Sequence, residues 1–174
     1  MSTQAVQVGF FGKIPTRGDF VQAGLSRSFT RAWDDWARRV LFDCLRLIGD
    51  GWDSAWREAP AWRFALPAGQ CGSRPALGLF VPSVDGAGRK FPLMIAAEGA
   101  ANGSAFLDAA QKIAGEAVGG ALAPDAMLAR LTGLNPPAPA TGNGLIGCWW
   151  HGEHRIMTFH SLPDSTALIE MLRR

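Results

Sequence analysis

Between Phe29 and Ile48 the apolar residues Phe29, Ala32, Trp33, Trp36, Ala37, Val40, Leu41, Cys44, Leu45 and Ile48 recur at intervals dominated by three and four. An α-helix turns once every 3.6 residues, so this spacing gathers them on one face of a long helix. Ser28 is its expected N-cap and Gly49 its C′ residue. Asp34/Arg38 and Asp35/Arg39 stand four apart with the acid first, the order that stabilises a helix. The Trp and Phe stripe is assigned to the core rather than to a ligand box.

Elsewhere the pattern changes to short apolar runs. "VQVGFF" from Val6 reads as a strand that Gly12 and Pro15 end, and "WRFALP" (62–67), "ALGLFVPS" (76–83) and "FPLMIAA" (91–97) read as three more. The last two are almost continuously apolar, as expected of strands covered on both faces. "SVDGAGR" (83–89) between them has turn chemistry and predicts a hairpin with a charged tip. A second amphipathic helix is expected from Ser104, with Phe106, Ala109, Ala110, Ile113, Ala114, Ala117 and Val118 on one face and Gly119-Gly120 as its stop. A short helix spans Pro124 to Leu131, and "NPPAPATGNG" (135–144) is an exposed, mobile loop. "LIGCWW" and "RIMTFH" flank the turn "HGEH" as a second hairpin, and a closing helix runs from Pro163 to Arg173 and Arg174. Hairpins interleaved with helices predict an α/β (α+β) fold: one domain over 1–174, with a mixed, mainly antiparallel sheet flanked by helices.

Composition narrows the function classes. In 174 residues, 48% are apolar and 18% charged, with seven Trp and ten Phe, so the chain has an aromatic-rich core rather than a disordered composition. Lys+Arg is 17 against Asp+Glu 15, and the arginines are scattered, which argues against a nucleic-acid binder. Cys44, Cys71 and Cys148 are odd in number, widely spaced and without a CxxC pair, which points to buried thiols in a reducing compartment. "MSTQAVQVGF" lacks the basic and apolar segments of a signal peptide, and no run approaches the roughly 20 apolar residues of a membrane span. A cytoplasmic location without membrane insertion is expected.

Candidate chemistry concentrates in "GFFGKIPTRGDFV" (9–21), where Lys13, Arg17 and Asp19 sit among apolar neighbours. A Walker-type phosphate loop requires Gly, four residues, then Gly-Lys-Ser/Thr. Here two residues separate Gly9 from Gly12, and Lys13 precedes Ile14 and Pro15. "RGD" (17–19) would suggest integrin binding only outside the cell. Cys148, His151 and His154 have a C-x2-H-x2-H spacing, but strand alternation opposes their convergence and no fourth zinc ligand is evident. No G-x-S-x-G elbow is present, and His160 has no evident nucleophile partner. Asp19 and Asp85 could form a carboxylate pair for a metal-dependent hydrolase. Alternatively Arg17, Asp19, Asp85 and Arg89 satisfy one another where two Gly-containing loops meet, because charges in apolar surroundings require partners. The second reading is favoured, with neither cofactor nor metal.

Four blocks, "GFFGKIPTRGDFV" (9–21), "FTRAWDDWARRVL" (29–41), "APAWRFALPAG" (59–69) and "VPSVDGAGRKFPL" (81–93), together resemble the TagF (also called ImpM) family of bacterial type VI secretion-associated proteins. The "CWW" strand and the closing "LP" helix are similar more loosely. The resemblance implies a longin/profilin-like fold and a cytoplasmic accessory protein that restrains the secretion apparatus after translation. It further implies sequestration of a forkhead-associated-domain scaffold protein, and a functional link to a Ser/Thr kinase and a PP2C-type phosphatase. It supplies no catalytic residues. Lys13, Arg17, Asp19, Asp85 and Arg89 lie in the blocks that carry it most strongly and are assigned to protein binding or loop organisation. A metal-dependent hydrolase using Asp19/Asp85 and a structural subunit of the apparatus remain the alternatives.

Overall fold

A computed structural model describes residues 4–153 and 155–173. Seven strands form one sheet: β1 (Gln7–Gly12), β2 (Val21–Ala23), β3 (Trp62–Leu66), β4 (Ala76–Val81), β5 (Leu93–Glu98), β6 (Gly147–His151) and β7 (Arg155–Phe159). Their order is β2-β1-β5-β4-β3-β6-β7, and every pairing is antiparallel. The fold is therefore a mixed α/β single domain with an antiparallel sheet. The near-continuous apolar runs of β4 and β5 are explained by their place in the middle of the sheet, covered on both faces.

Among the described residues five helices supply the cover: α1 (Arg27–Ile48), α2 (Trp52–Glu58), α3 (Ser104–Val118), α4 (Pro124–Thr132) and α5 (Ser165–Leu172). On one face Trp33 and Trp36 of α1 meet Phe64, Phe80 and Trp149 of the sheet, with Trp56 of α2 and Leu168 and Met171 of α5 in the same core. On the other face Phe106, Ala110 and Ile113 of α3 and Met127 and Leu131 of α4 pack on Phe10, Leu77, Leu79, Leu93 and Ile95. Strand alternation sends neighbouring residues of one strand to different cores, Phe10 to the second and Phe11 to the first. Some of the buried indoles are tied to backbone carbonyls: Trp36 Nε1 donates to Pro163 O at 2.7 Å and Trp62 Nε1 to Met171 O at 2.9 Å, whereas those of Trp33 and Trp149 have no protein partner among the described residues.

Several expected boundaries shift for physical reasons. The N-cap of α1 is Ser26, not Ser28: Ser26 Oγ accepts from Phe29 N at 3.3 Å while donating to Glu98 Oε1 at 2.6 Å, and Glu98 Oε2 accepts from Ser26 N at 3.0 Å. The buried Glu98 carboxylate thus reaches from β5 to the start of α1, which no local pattern encodes. Gly49 ends α1 at φ 66. Ser104 is the first residue of α3 rather than its cap, and α5 begins two residues after Pro163, capped by Asp164 Oδ1 accepting from Ala167 N at 2.8 Å. Asp34 pairs with Arg38 at 2.8 Å, whereas Asp35 and Arg39 form no ion pair among the described residues. Strand β2, helix α2 and the 3-10 turn before α2 (Gly49–Gly51) had no counterpart in the sequence reading. In 135–144 there is no helix or strand, but Pro137 is buried and Ala140 N donates to Gly99 O at 2.8 Å, so this loop lies against the body instead of being exposed throughout.

Candidate functional site

Strand β1 ends at Gly12, where φ is 145 and an added Cβ would lie 2.0 Å from Pro92 O. Only glycine lets the chain pass the start of β5 this closely. It continues into the 13–20 loop, which returns as β2, while residues 82–92 form the tip between β4 and β5. The two tips meet. Gly86 N donates to Arg17 O at 2.7 Å, and Arg89 Nη2 donates to Gly18 O at 2.6 Å. A Cβ at Gly86 would lie 3.2 Å from Pro15 O, so a side chain there would crowd the other tip.

Asp85 organises this junction. Its side chain is fully buried, and both carboxylate oxygens are occupied: Oδ1 accepts from Ala87 N and Arg89 N, each at 2.9 Å. Oδ2 accepts from Arg89 Nε at 2.7 Å and lies 3.0 Å from Lys13 Nζ. Loss of water around the carboxylate pushes its pKa upward. The backbone N–H of Arg89, the Lys13 ammonium, the Arg89 guanidinium and the N–H of Ala87 outweigh this, holding it well below the ordinary carboxylate value. Lys13 itself is 8% exposed, so its charge is compensated in place by Asp85.

The other two sequence-selected residues lie outside this cage. Arg17 is exposed and its Nη1 donates to Thr16 O at 3.3 Å; it contributes to the junction through its backbone carbonyl. Asp19 is exposed and makes no side-chain hydrogen bond or ion pair among the described residues. The mutual pairing expected of Arg17, Asp19, Asp85 and Arg89 is therefore reduced to Asp85 with Arg89, and Lys13 takes the remaining place. Among the described residues no three His, Cys, Asp or Glu side chains cluster as metal ligands. Cys148 and His151 project from opposite sides of β6, and His151 Nδ1 lies 2.9 Å from Ala61 O; His154 lies outside the described residues.

Residues the sequence reading passed over complete the site. Phe20 stacks on Phe11 with centroids 5.5 Å apart and meets Phe91 edge-on at 4.8 Å. Lys13 Nζ stands 5.1 Å from the Phe20 ring centroid and the Arg38 guanidinium 4.9 Å, so this ring links the loop to α1. On the other side Trp56 Nε1 donates to Ser83 O at 2.8 Å and Lys90 Nζ pairs with Asp53 Oδ1 at 2.5 Å, tying the tip to α2. Asp53, Trp56, Arg57, Pro82, Val84 and Lys90 line a cleft of about 440 Å³ there. Phe20 and Lys90 were visible within the quoted blocks; Trp56 and Asp53 required α2, a seven-residue helix too short for a periodic signal.

Fold and site together define a single-sheet α/β domain whose charged loops are fixed by one buried carboxylate. The chain belongs to the family described as TagF N-terminal domain, Type VI secretion system-associated, which matches residues 9–134. It is also similar to the crystal structure of PA0076 from Pseudomonas aeruginosa PAO1, at 25% sequence identity and a TM-score of 0.84, covering 95% of this chain and 93% of that one. That likeness carries the fold through the β6–β7 hairpin and α5, beyond the family match. Comparison with curated proteins gives no significant match.

Proposed function

We propose that this type VI secretion-associated chain is a non-enzymatic, cytoplasmic regulator that holds a forkhead-associated-domain scaffold of the apparatus in an inactive complex. Its effect on secretion is then mass-action sequestration, proportional to the amount of complex formed. The functional link to a Ser/Thr kinase and a PP2C-type phosphatase belongs to this same proposal. Family membership supports the secretion context. The saturation of Asp85 is the observation that favours docking over catalysis. A carboxylate already accepting from Lys13, Arg89 and two backbone N–H groups has no lone pair left for a substrate proton or a metal. Its chemistry suits a rigid platform, with exposed Arg17 and Asp19 as a polar rim.

The test is reconstitution with the purified scaffold. Size-exclusion chromatography with light scattering should give a complex of fixed stoichiometry, and inhibition of secretion should saturate at that ratio. Inhibition at far below stoichiometric amounts, abolished by a chelator, would overturn the reading in favour of a metal-dependent enzyme. Co-purification only with assembled baseplate would make the chain a structural subunit instead.

A further inference from the structure

Arg27, Arg31, Asp34, Arg38, Phe42 and Leu45 follow one another along α1 at steps of three and four residues and so share one stripe. The stripe violates two local rules. Arg27 stands in the first helical turn, where the positive end of the helix dipole disfavours a cation, and no acidic residue lies in that turn to offset it. Neither the Arg27 nor the Arg31 side chain has a hydrogen-bond or ion-pair partner among the described residues, while the charge of Asp34 is taken by Arg38 at 2.8 Å. At the C-terminal end of the stripe Phe42 is 61% and Leu45 45% exposed. Beside the basic half lies a shallow groove lined by Phe11, Gln22, Arg27, Thr30, Arg31 and Asp34, the last already paired with Arg38, with the three-residue edge strand β2 supplying Gln22.

We infer that this stripe and groove bind an acidic segment of a partner protein, with its carboxylates on Arg27 and Arg31 and its apolar side chains against Phe42 and Leu45. The inference rests on the docking reading above but uses the α1 surface next to the ion-paired loops, which it adjoins through Arg38 and Phe11. Charge complementarity selects the occupant: α1 carries five arginines against three aspartates, and the two unpaired cations of the stripe lie together at one end. Planar guanidinium groups bind carboxylates in bidentate fashion, which gives the segment its orientation. Apolar residues at the other end provide the anchor that such contacts require, since exposed ion pairs alone contribute little. Asp34, Asp35, Phe42 and Leu45 along the helix make it a poor surface for a nucleic-acid backbone.

The probe is a synthetic peptide of four consecutive glutamates followed by two leucines, titrated into the full 15N-labelled chain, with the all-lysine counterpart as control. Amide shifts are expected at Gln22 and along 27–46. Combined Arg27→Glu and Arg31→Glu should weaken binding about tenfold or more, and Phe42→Ala about threefold or more, with no large fall in the thermal midpoints because all three side chains are exposed and the helix dipole favours Glu over Arg at position 27. Absence of shifts, equal binding by the lysine peptide, retention in the double variant or shifts confined to 13–20 and 83–90 would each overturn the proposal. So would equally strong arginine-dependent binding to phosphatidylserine vesicles. Scaffold binding measured in parallel separates the two failures. A scaffold that binds the wild-type chain and the double variant equally leaves the docking reading intact and removes this surface. A peptide that binds as expected while the scaffold does not preserves the surface and removes that partner.

Discussion

Lys13→Met tests whether the buried ammonium holds the two tips together. Lys13 Nζ lies 3.0 Å from Asp85 Oδ2, and its side chain is 10% exposed, so solvent screens the contact weakly. Methionine retains much of the apolar stem and removes the charge. What is lost is one charge-assisted hydrogen bond, worth about 1.5–3 kcal/mol. The carboxylate keeps Arg89 Nε and two backbone N–H donors, so the cost falls near 2 kcal/mol rather than in the range of about 3–5 kcal/mol for breaking a buried ion pair outright. Urea unfolding at pH 7 should show that loss with an unchanged slope, and the thermal midpoint should fall by about 4–8 °C. Arg89→Met should cost less, about 0.5–1 kcal/mol, because its side chain is 63% exposed. A Lys13→Met loss below about 0.5 kcal/mol, or the reverse order of the two variants, would refute the reasoning. The pH dependence supplies a second arm. The folded pKa of Asp85 lies below its ordinary 3.8, so the unfolded chain binds more protons in the interval between the two values. Its contribution is therefore complete above that ordinary value and is lost as pH falls through the folded one. Lys13→Met moves the folded value back toward the ordinary one and should make the acid limb of the stability profile shallower.

Other consequences are equally direct. Ser26→Ala removes both the cap to Phe29 N and the bond to Glu98, and should cost about 1–2 kcal/mol in urea unfolding, whereas Ser28→Ala should stay within about 0.5 kcal/mol. Gly86→Ala places a methyl group 3.2 Å from Pro15 O and 3.3 Å from Arg17 O. It should loosen the tip contact and raise the hydrogen-exchange rate of Gly88 N, which donates within the tip, without unfolding the sheet. Burial, assisted by the Asp43 charge, pushes the Cys44 thiol up to about 11. Burial, assisted by Glu98, pushes Cys71 up to about 12, and burial also raises half-buried Cys148. Alkylation at pH 8 followed by mass spectrometry should therefore modify Cys148 well before the other two.

The site was legible in part. "GKIPTRGD" and "VDGAGRK" announced two glycine-containing charged loops, and burial of charge demanded that they be paired. Which charges met was invisible, because Lys13 and Asp85 are 72 positions apart and only the β1–β5 pairing, Phe11 opposite Met94, brings their loops to the same end of the sheet. Arg17 was grouped with Asp19, Asp85 and Arg89 because charges in apolar surroundings require partners; the turn from Ile14 O to Arg17 N instead leaves its side chain exposed and aims its carbonyl at Gly86.

Local pattern by itself determined α1, α3 and α4, from the side of each that is apolar, and the central strands and two hairpins, from short apolar runs bounded by turn residues. Tertiary structure decided the rest. The three residues of β2 are too few to carry a pattern and become a strand only by pairing with Phe10 to Gly12. The seven residues of α2 are held by burial of Trp52 and Trp56. Ser26 rather than Ser28 begins α1 because Glu98, at the end of a strand more than seventy residues later, is buried beside it. Sequence neighbours set the apolar face of each element, and the sheet order then chose which distant polar groups had to satisfy one another once water was excluded.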